Sequence, residues 1–150
     1  MAYDHTQPGK FLRIWLGGIV TIFASITISL LVSGQLQGAG LFAGITLFSG
    51  FIASMFHNLT VQITSDTLQW SFGIGVIRKS VLLDDIQDAT IVKTRWYHGW
   101  GVKWYGRGWL YNVDGFDAVE INLRNGRQIR IGTDEPQSLR QAIQAACRFK

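Results

Sequence analysis

Between Lys93 and Trp109 the chain carries four cations, six Trp or Tyr rings and four glycines, with no carboxylate among them. Residues of these types, interleaved, bind rather than react. Lys93, Arg95, Lys103 and Arg107 can meet anionic groups, while Trp96, Trp100 and Trp104 offer rings. Mixed basic and aromatic side chains suit a membrane interface, where amphipathic rings sit among headgroups and cations meet anionic lipid. They equally suit a protein partner, because Trp, Tyr and Arg dominate interface hot spots. Stacking on single-stranded nucleic acid is a third use, and packing of several rings inside the fold is a fourth. These seven residues form the candidate contact site for a partner or for lipid.

Other groups that could do chemistry lack the setting for it. Asp84-Asp85-Ile86-Gln87-Asp88 matches a DDxxD string, which on a helix would set carboxylates to hold Mg²⁺. Here it falls between two predicted strands and reads as a solvated turn. His5, His57 and His98 show no metal-ligand spacing, and Cys147, the single cysteine, has no second thiol for a zinc site or an internal disulfide. Cys147 falls instead on the apolar face of a predicted helix. Gly73-Ile74-Gly75 lacks the third glycine and the following helix of a dinucleotide loop, and no nucleophile elbow surrounds any serine. The expectation is a non-enzymatic chain without a cofactor or metal.

The elements that position the segment divide sharply by charge. Of 150 residues 47% are hydrophobic and only 16% charged, and no Asp, Glu, Lys or Arg occurs from Ile14 to Phe56. Two spans, 14–32 and 38–56, are each long enough as helix to cross a hydrocarbon core of roughly 30 Å. Ser33 to Ala39, rich in Gly and Gln, supplies the turn between them. The expected organisation is an N-terminal tail over 1–10, a transmembrane hairpin over 11–57 and a soluble domain over 58–150. Lys10 and Arg13 flank the first span and the turn has no cation, so the positive-inside bias places both chain ends in the cytoplasm, with the protein multi-pass in a bacterial inner membrane. Small residues recur along both spans, notably Gly17, Thr21 and Ser25, and Gly40, Gly44 and Gly50. Such rows allow helix backbones to approach closely in lipid, either within the hairpin or toward another membrane protein or a second copy. The net charge of +4 fits a domain beside anionic lipid; nucleic acid is the disfavoured partner.

After the membrane segment the pattern changes to short alternating stretches with turn signals. Strands are expected at 59–64, 67–72, 76–82, 86–93, 109–113, 118–123 and 128–133, the last pair joined by Arg124-Asn125-Gly126-Arg127, a type I′ hairpin turn. Thr133 or Asp134 as N-cap and Pro136 in the first turn open a final helix, whose stripe of Leu139, Ala142, Ile143, Ala146 and Cys147 should cover the strands.

About seven antiparallel strands followed by one C-terminal helix resemble the pleckstrin-homology-like (PH-like) fold. The run Val81-Leu82-Leu83-Asp84-Asp85-Ile86-Gln87-Asp88-Ala89 resembles a segment of bacterial membrane-anchored PH-domain proteins, in which transmembrane helices precede the domain. The resemblance implies a membrane helical hairpin plus a PH-like sandwich or barrel. Lipid-binding members of that fold hold inositol phosphates with basic residues around the first strand-to-strand loop. The corresponding loop here is Ser65-Asp66 with no Lys or Arg nearby, so no lipid-site residue carries over. The expected function is a membrane-tethered interaction or assembly module at the cytoplasmic face. The alternatives are an anionic headgroup-binding module and, from another class, a membrane-bound enzyme with an unrecognised site.

Overall fold

The two charge-free runs form helices α1 (Lys10–Val32) and α2 (Leu36–Met55) in a computed structural model that describes residues 3–95 and 99–148. Gly34, at φ 75°, turns the chain between them. Both helices are long and apolar enough to cross a membrane, and α1 buries no side chain at all. In water they would expose Ile14, Trp15, Ile28, Leu41 and Leu47, each more than half accessible; a lipid surround removes that cost. Four hydroxyls inside the helices are satisfied locally, since Thr21, Ser25, Thr27 and Thr46 each donate to the carbonyl four residues back.

Of the two uses expected for the small-residue rows, packing within the hairpin is not the one the seam makes. It closes on Ala39, which is buried, on Leu30 against Gly38, and on the Phe23 and Phe42 rings 6.0 Å apart. Gly17, Thr21, Ser25, Gly40 and Gly44 lie on exposed faces. A Cβ added at Gly17, Gly40, Gly44 or Gly50 would meet no atom within 4 Å. Larger apolar side chains supply the contact because this hairpin does not use its close-approach rows.

The rest of the chain forms two sheets and a helix. The first sheet has the order β1-β2-β3-β4, with β1 at Tyr3–Pro8, β2 at Asn58–Ile63, β3 at Thr67–Phe72 and β4 at Ile77–Leu82. A single 3₁₀ turn, Leu83–Asp85, leads to β5 (Ile86–Lys93). The second sheet adds β6 (Gly101–Trp104), β7 (Gly108–Asn112), β8 (Asp117–Leu123) and β9 (Gln128–Gly132) in the order β5-β8-β9-β7-β6. Nine strands are thus present among the described residues where seven are expected. Residues 3–8, read from sequence as tail, pair antiparallel with β2, and β6 lies inside the segment read as a loop. The meander is also not wholly antiparallel, for β7 and β9 run parallel.

Alternation explains the core. Leu59, Val61 and Ile63 of β2 and Leu68, Trp70 and Phe72 of β3 face inward and pack with Tyr111, Val119, Ile121 and Ile131 of the second sheet and with Val113 just beyond β7. Helix α3 (Pro136–Arg148) opens with Pro at its first position, and Glu135 rather than Thr133 or Asp134 supplies the first helical carbonyl, to Leu139. Its Leu139 and Ile143 are fully buried against the sheets, each worth about 1.5–3 kcal/mol of apolar transfer.

The helix pair meets the sheets without a spacer. Only Gly9 separates β1 from α1, and Phe56 and His57 alone separate α2 from β2. The Gly9 N–H donates to the His57 carbonyl at 3.0 Å, and Arg13 Nε donates to the same oxygen at 3.0 Å. Asp114 accepts from the Lys10 N–H at 3.1 Å, placing a carboxylate at the α1 N-terminus, where the helix dipole favours it.

Candidate functional site

Strand β4 ends the first sheet and β6 ends the second, and between these two edges the sandwich stays open. The opening is a cleft of about 550 Å³ lined by β3, β4, β6, β7 and the β8–β9 turn. On β4 the inward positions are Ile77, Lys79 and Val81, opposite Phe72, Trp70 and Leu68. Lys79 therefore occupies a core-facing position directly across from Trp70, yet remains exposed because no strand lies beyond β4.

Across the cleft, Trp104 of β6 pairs with Trp109 of β7. Their rings meet edge to face, 5.6 Å between centroids and 72° between planes, and remain 59% and 39% exposed. Deeper in, Trp70 and Tyr111 form a second edge-to-face pair at 5.1 Å. The Trp70 indole N–H is buried with no hydrogen-bond partner among the described residues, although Trp70 itself lines the cleft. Gly108 sets the floor: a Cβ there would come within 1.9 Å of the Gln128 carbonyl oxygen, so only glycine lets β7 join β9.

The cleft is basic. Lys79, Arg107 and Arg127 line it and Asp85 is its single carboxylate among the described residues. None of the three cations pairs with a carboxylate among those residues; the ion pairs join His5 to Asp134 and Glu135, Lys93 to Asp117, and Arg130 to Glu120. Burial pushes the Tyr111 phenol up, opposed by the Arg127 charge, so its hydroxyl stays protonated around neutral pH. Exposed rings, unpaired cations and an orphan indole donor suit non-covalent recognition of an anionic, partly apolar ligand. No group of three or more His, Cys, Asp or Glu side chains able to hold a metal occurs among the described residues.

Of the seven residues expected from sequence to form the contact site, the cleft brings together Trp104 and Arg107. Lys93 ends β5, 3.8 Å from Asp117, and Arg95 is exposed just beyond it. Lys103 projects from β6 on the side opposite Trp104. Trp100 belongs to the helix junction, stacked on Phe11 of α1 with centroids 4.3 Å apart. Trp96 lies outside the described residues. Tyr105 packs on the outer face, where Arg130 sits 4.1 Å over its ring and bonds Glu120. Sequence reasoning passed over Trp70, Lys79, Asp85 and Arg127. One signal was available: Lys79 interrupts the apolar series Ile77, Val81 on the inward face of a strand.

Set against known proteins, the chain matches no protein-family model, no curated protein and no solved structure.

Proposed function

We propose that this chain is a membrane-anchored, non-enzymatic interaction module whose cleft receives an extended, acidic segment of a partner protein. In this reading the helix pair crosses a bacterial inner membrane, and both its base and the β-domain are cytoplasmic. Lys10 and Arg13 at the base and the uncharged turn at the other end support that orientation. The domain is PH-like: two packed sheets with a C-terminal helix over one side support the assignment, with the β6–β7 hairpin as an insertion between β5 and β8 and seven strands, β1 among them, making up the rest.

The observation that carries the proposal is the convergence of three unpaired cations and an exposed Trp pair between two free strand edges. A free edge binds an extended peptide through main-chain hydrogen bonds, and flanking side chains select its sequence. Position favours a protein over the module's own bilayer. The cleft begins near the helix base at Ile77 and Val102 and reaches up to roughly 16 Å farther at Leu82, at about 3.3 Å per residue. Arg107 and Arg127 stand toward that distal end, beyond a headgroup layer about 6 Å deep.

The test is purification of the full chain from native membrane in mild detergent, comparing wild type with Lys79→Gln/Arg107→Gln/Arg127→Gln and with Trp104→Ala. All four side chains are exposed, so the variants fold. Both should lose the same co-purifying protein, the charge variant in a salt-dependent manner at about 0.2–1 kcal/mol per cation. Loss of bound anionic lipid from the charge variant, with the protein set unchanged, would establish the headgroup reading instead. Unchanged protein and lipid in both variants would remove the cleft as the site.

A further inference from the structure

The turn between β3 and β4, residues Gly73 to Val76, rises alongside the last turn of α2. The main chain of Gly73, at φ 47°, lies so close to that helix that a Cβ would come within 2.3 Å of the Ser54 and Met55 carbonyl oxygens. The turn is closed by the Gly75 N–H donating to the Phe72 carbonyl at 2.7 Å, with Gly75 at φ 84°. Two glycines therefore hold the turn at a fixed height against the helix, level with Ser54 and Met55, the last two residues of α2.

At that height the turn presents Ile74 and Val76, each 59% exposed. A soluble turn favours Asn, Asp, Ser or Gly at its tip; here the non-glycine positions are two β-branched apolar residues with no protein surface over them. The surroundings match a bilayer boundary. Trp15 is 62% exposed one turn along α1, Phe11 stacks on Trp100 at its base, and Arg13 sits between them. Arg78 folds back over the turn, its guanidinium 3.3 Å from a Cβ placed on Gly75. Aromatic rings and cations at a span's end mark the headgroup layer. A second turn, between β7 and β8, flanks α1 at the same base: its Asp114 holds the Lys10 N–H, and its Phe116 is 48% exposed.

We infer that the β3–β4 turn is a membrane-dipping wedge: Ile74 and Val76 insert into the lipid interface beside α2, with Arg78 at the headgroups. The inference rests on the helix pair crossing the membrane. The ligand is the bilayer surface, a site distinct from the cleft. An interfacial wedge joined to an anchor makes a second attachment point, so the domain is seated on the membrane rather than suspended above it.

Site-directed labelling of the full chain tests this in a Cys147→Ser background. An environment-sensitive fluorophore is placed on Ile74→Cys, Val76→Cys, Ile28→Cys within α1, or Asn125→Cys at the domain's far end. The protein is reconstituted into vesicles of phosphatidylcholine and phosphatidylglycerol. Labels at 74 and 76 should emit to the blue of the label at 125 and be quenched by a shallow lipid-borne nitroxide. They should also be at least about twofold less accessible to aqueous iodide than the label at 125. Water-like labels at 74 and 76 beside a lipid-embedded label at 28 would overturn the wedge and leave the membrane anchor standing. A water-like label at 28 would overturn both.

Discussion

A lysine on the inward face of an edge strand is a residue with two uses. Lys79 obstructs edge-to-edge pairing with another β4, because a second strand would have to bury its ammonium, and it offers a cation to any partner that brings a carboxylate. The neighbouring chemistry supports the proposed recognition role: Arg107 and Arg127 lie around the same opening without carboxylate partners among the described residues, and Trp104 and Trp109 stay exposed beside them. Cys147 shows the contrary case of a side chain placed for packing. Its thiol points at the Leu83 carbonyl at 3.6 Å, and burial, with the Asp84 charge, pushes its pKa up against the smaller effect of Arg124. A raised value favours the thiol, so this group's contribution to stability is complete below the unfolded thiol pKa and is lost as pH climbs through the folded one. Iodoacetamide at neutral pH should modify folded Cys147 several-fold more slowly than the unfolded chain; equal rates would show the helix end open. Trp104 and Arg107 were legible in sequence because they stand in a conspicuous basic and aromatic run. Lys79 and Arg127 were not, since each is an ordinary polar residue of a strand or turn until the two sheets bring them to one cleft.

Individual elements were legible wherever their own pattern sufficed. Each expected strand range from Leu59 to Thr133 is occupied by a strand, and Leu139 and Ile143 mark the buried stripe of α3. The two strands that were missed depend on neighbours. Tyr3–Pro8 is polar, ends in proline and is held by β2, by Thr6 bonded to Thr60 and by His5 bonded to Asp134. Gly101–Trp104 is four residues long and exists through its pairing with β7. Strand propensity is largely the fit to such a surface, which local sequence does not contain. The parallel β7–β9 ladder is likewise non-local. Within the helix pair, the outward glycines make a clear expectation: Gly44→Leu should leave the melting temperature in detergent nearly unchanged, whereas Gly38→Leu, whose added carbons meet Leu30 at 3.3 Å, should cost about 1–3 kcal/mol by overpacking. Equal sensitivity of the two positions would relocate the seam.

At the scale of the whole molecule, β1 makes the β-domain discontinuous in sequence, with the helix pair as a long insertion between its first two strands. Pro8 and Asn58 are register partners, so an Asn-Gly turn replacing 9–57 should convert β1 and β2 into an ordinary hairpin. That chimera should be soluble and melt above residues 58–150 alone, because the shorter piece loses the packed Tyr3 and the buried Gln7 and bares the β2 edge. A difference of about 1 kcal/mol would appear as roughly 4–8 °C; coincident melting curves would show that β1 is not part of the folding unit. The same continuity bears on mechanics. With one residue on one side and two on the other between helix and strand, and both backbones tied through the His57 carbonyl, the junction has no swivel. In a bilayer, any tilt of the hairpin is transmitted as an equal tilt of the first sheet, and the mouth of the cleft swings with it. On the proposed reading, membrane thickness, through the tilt it favours, thereby becomes one angular coordinate of the β4 edge, and a partner fixed in the same membrane would meet that edge at an attitude set partly by the lipid.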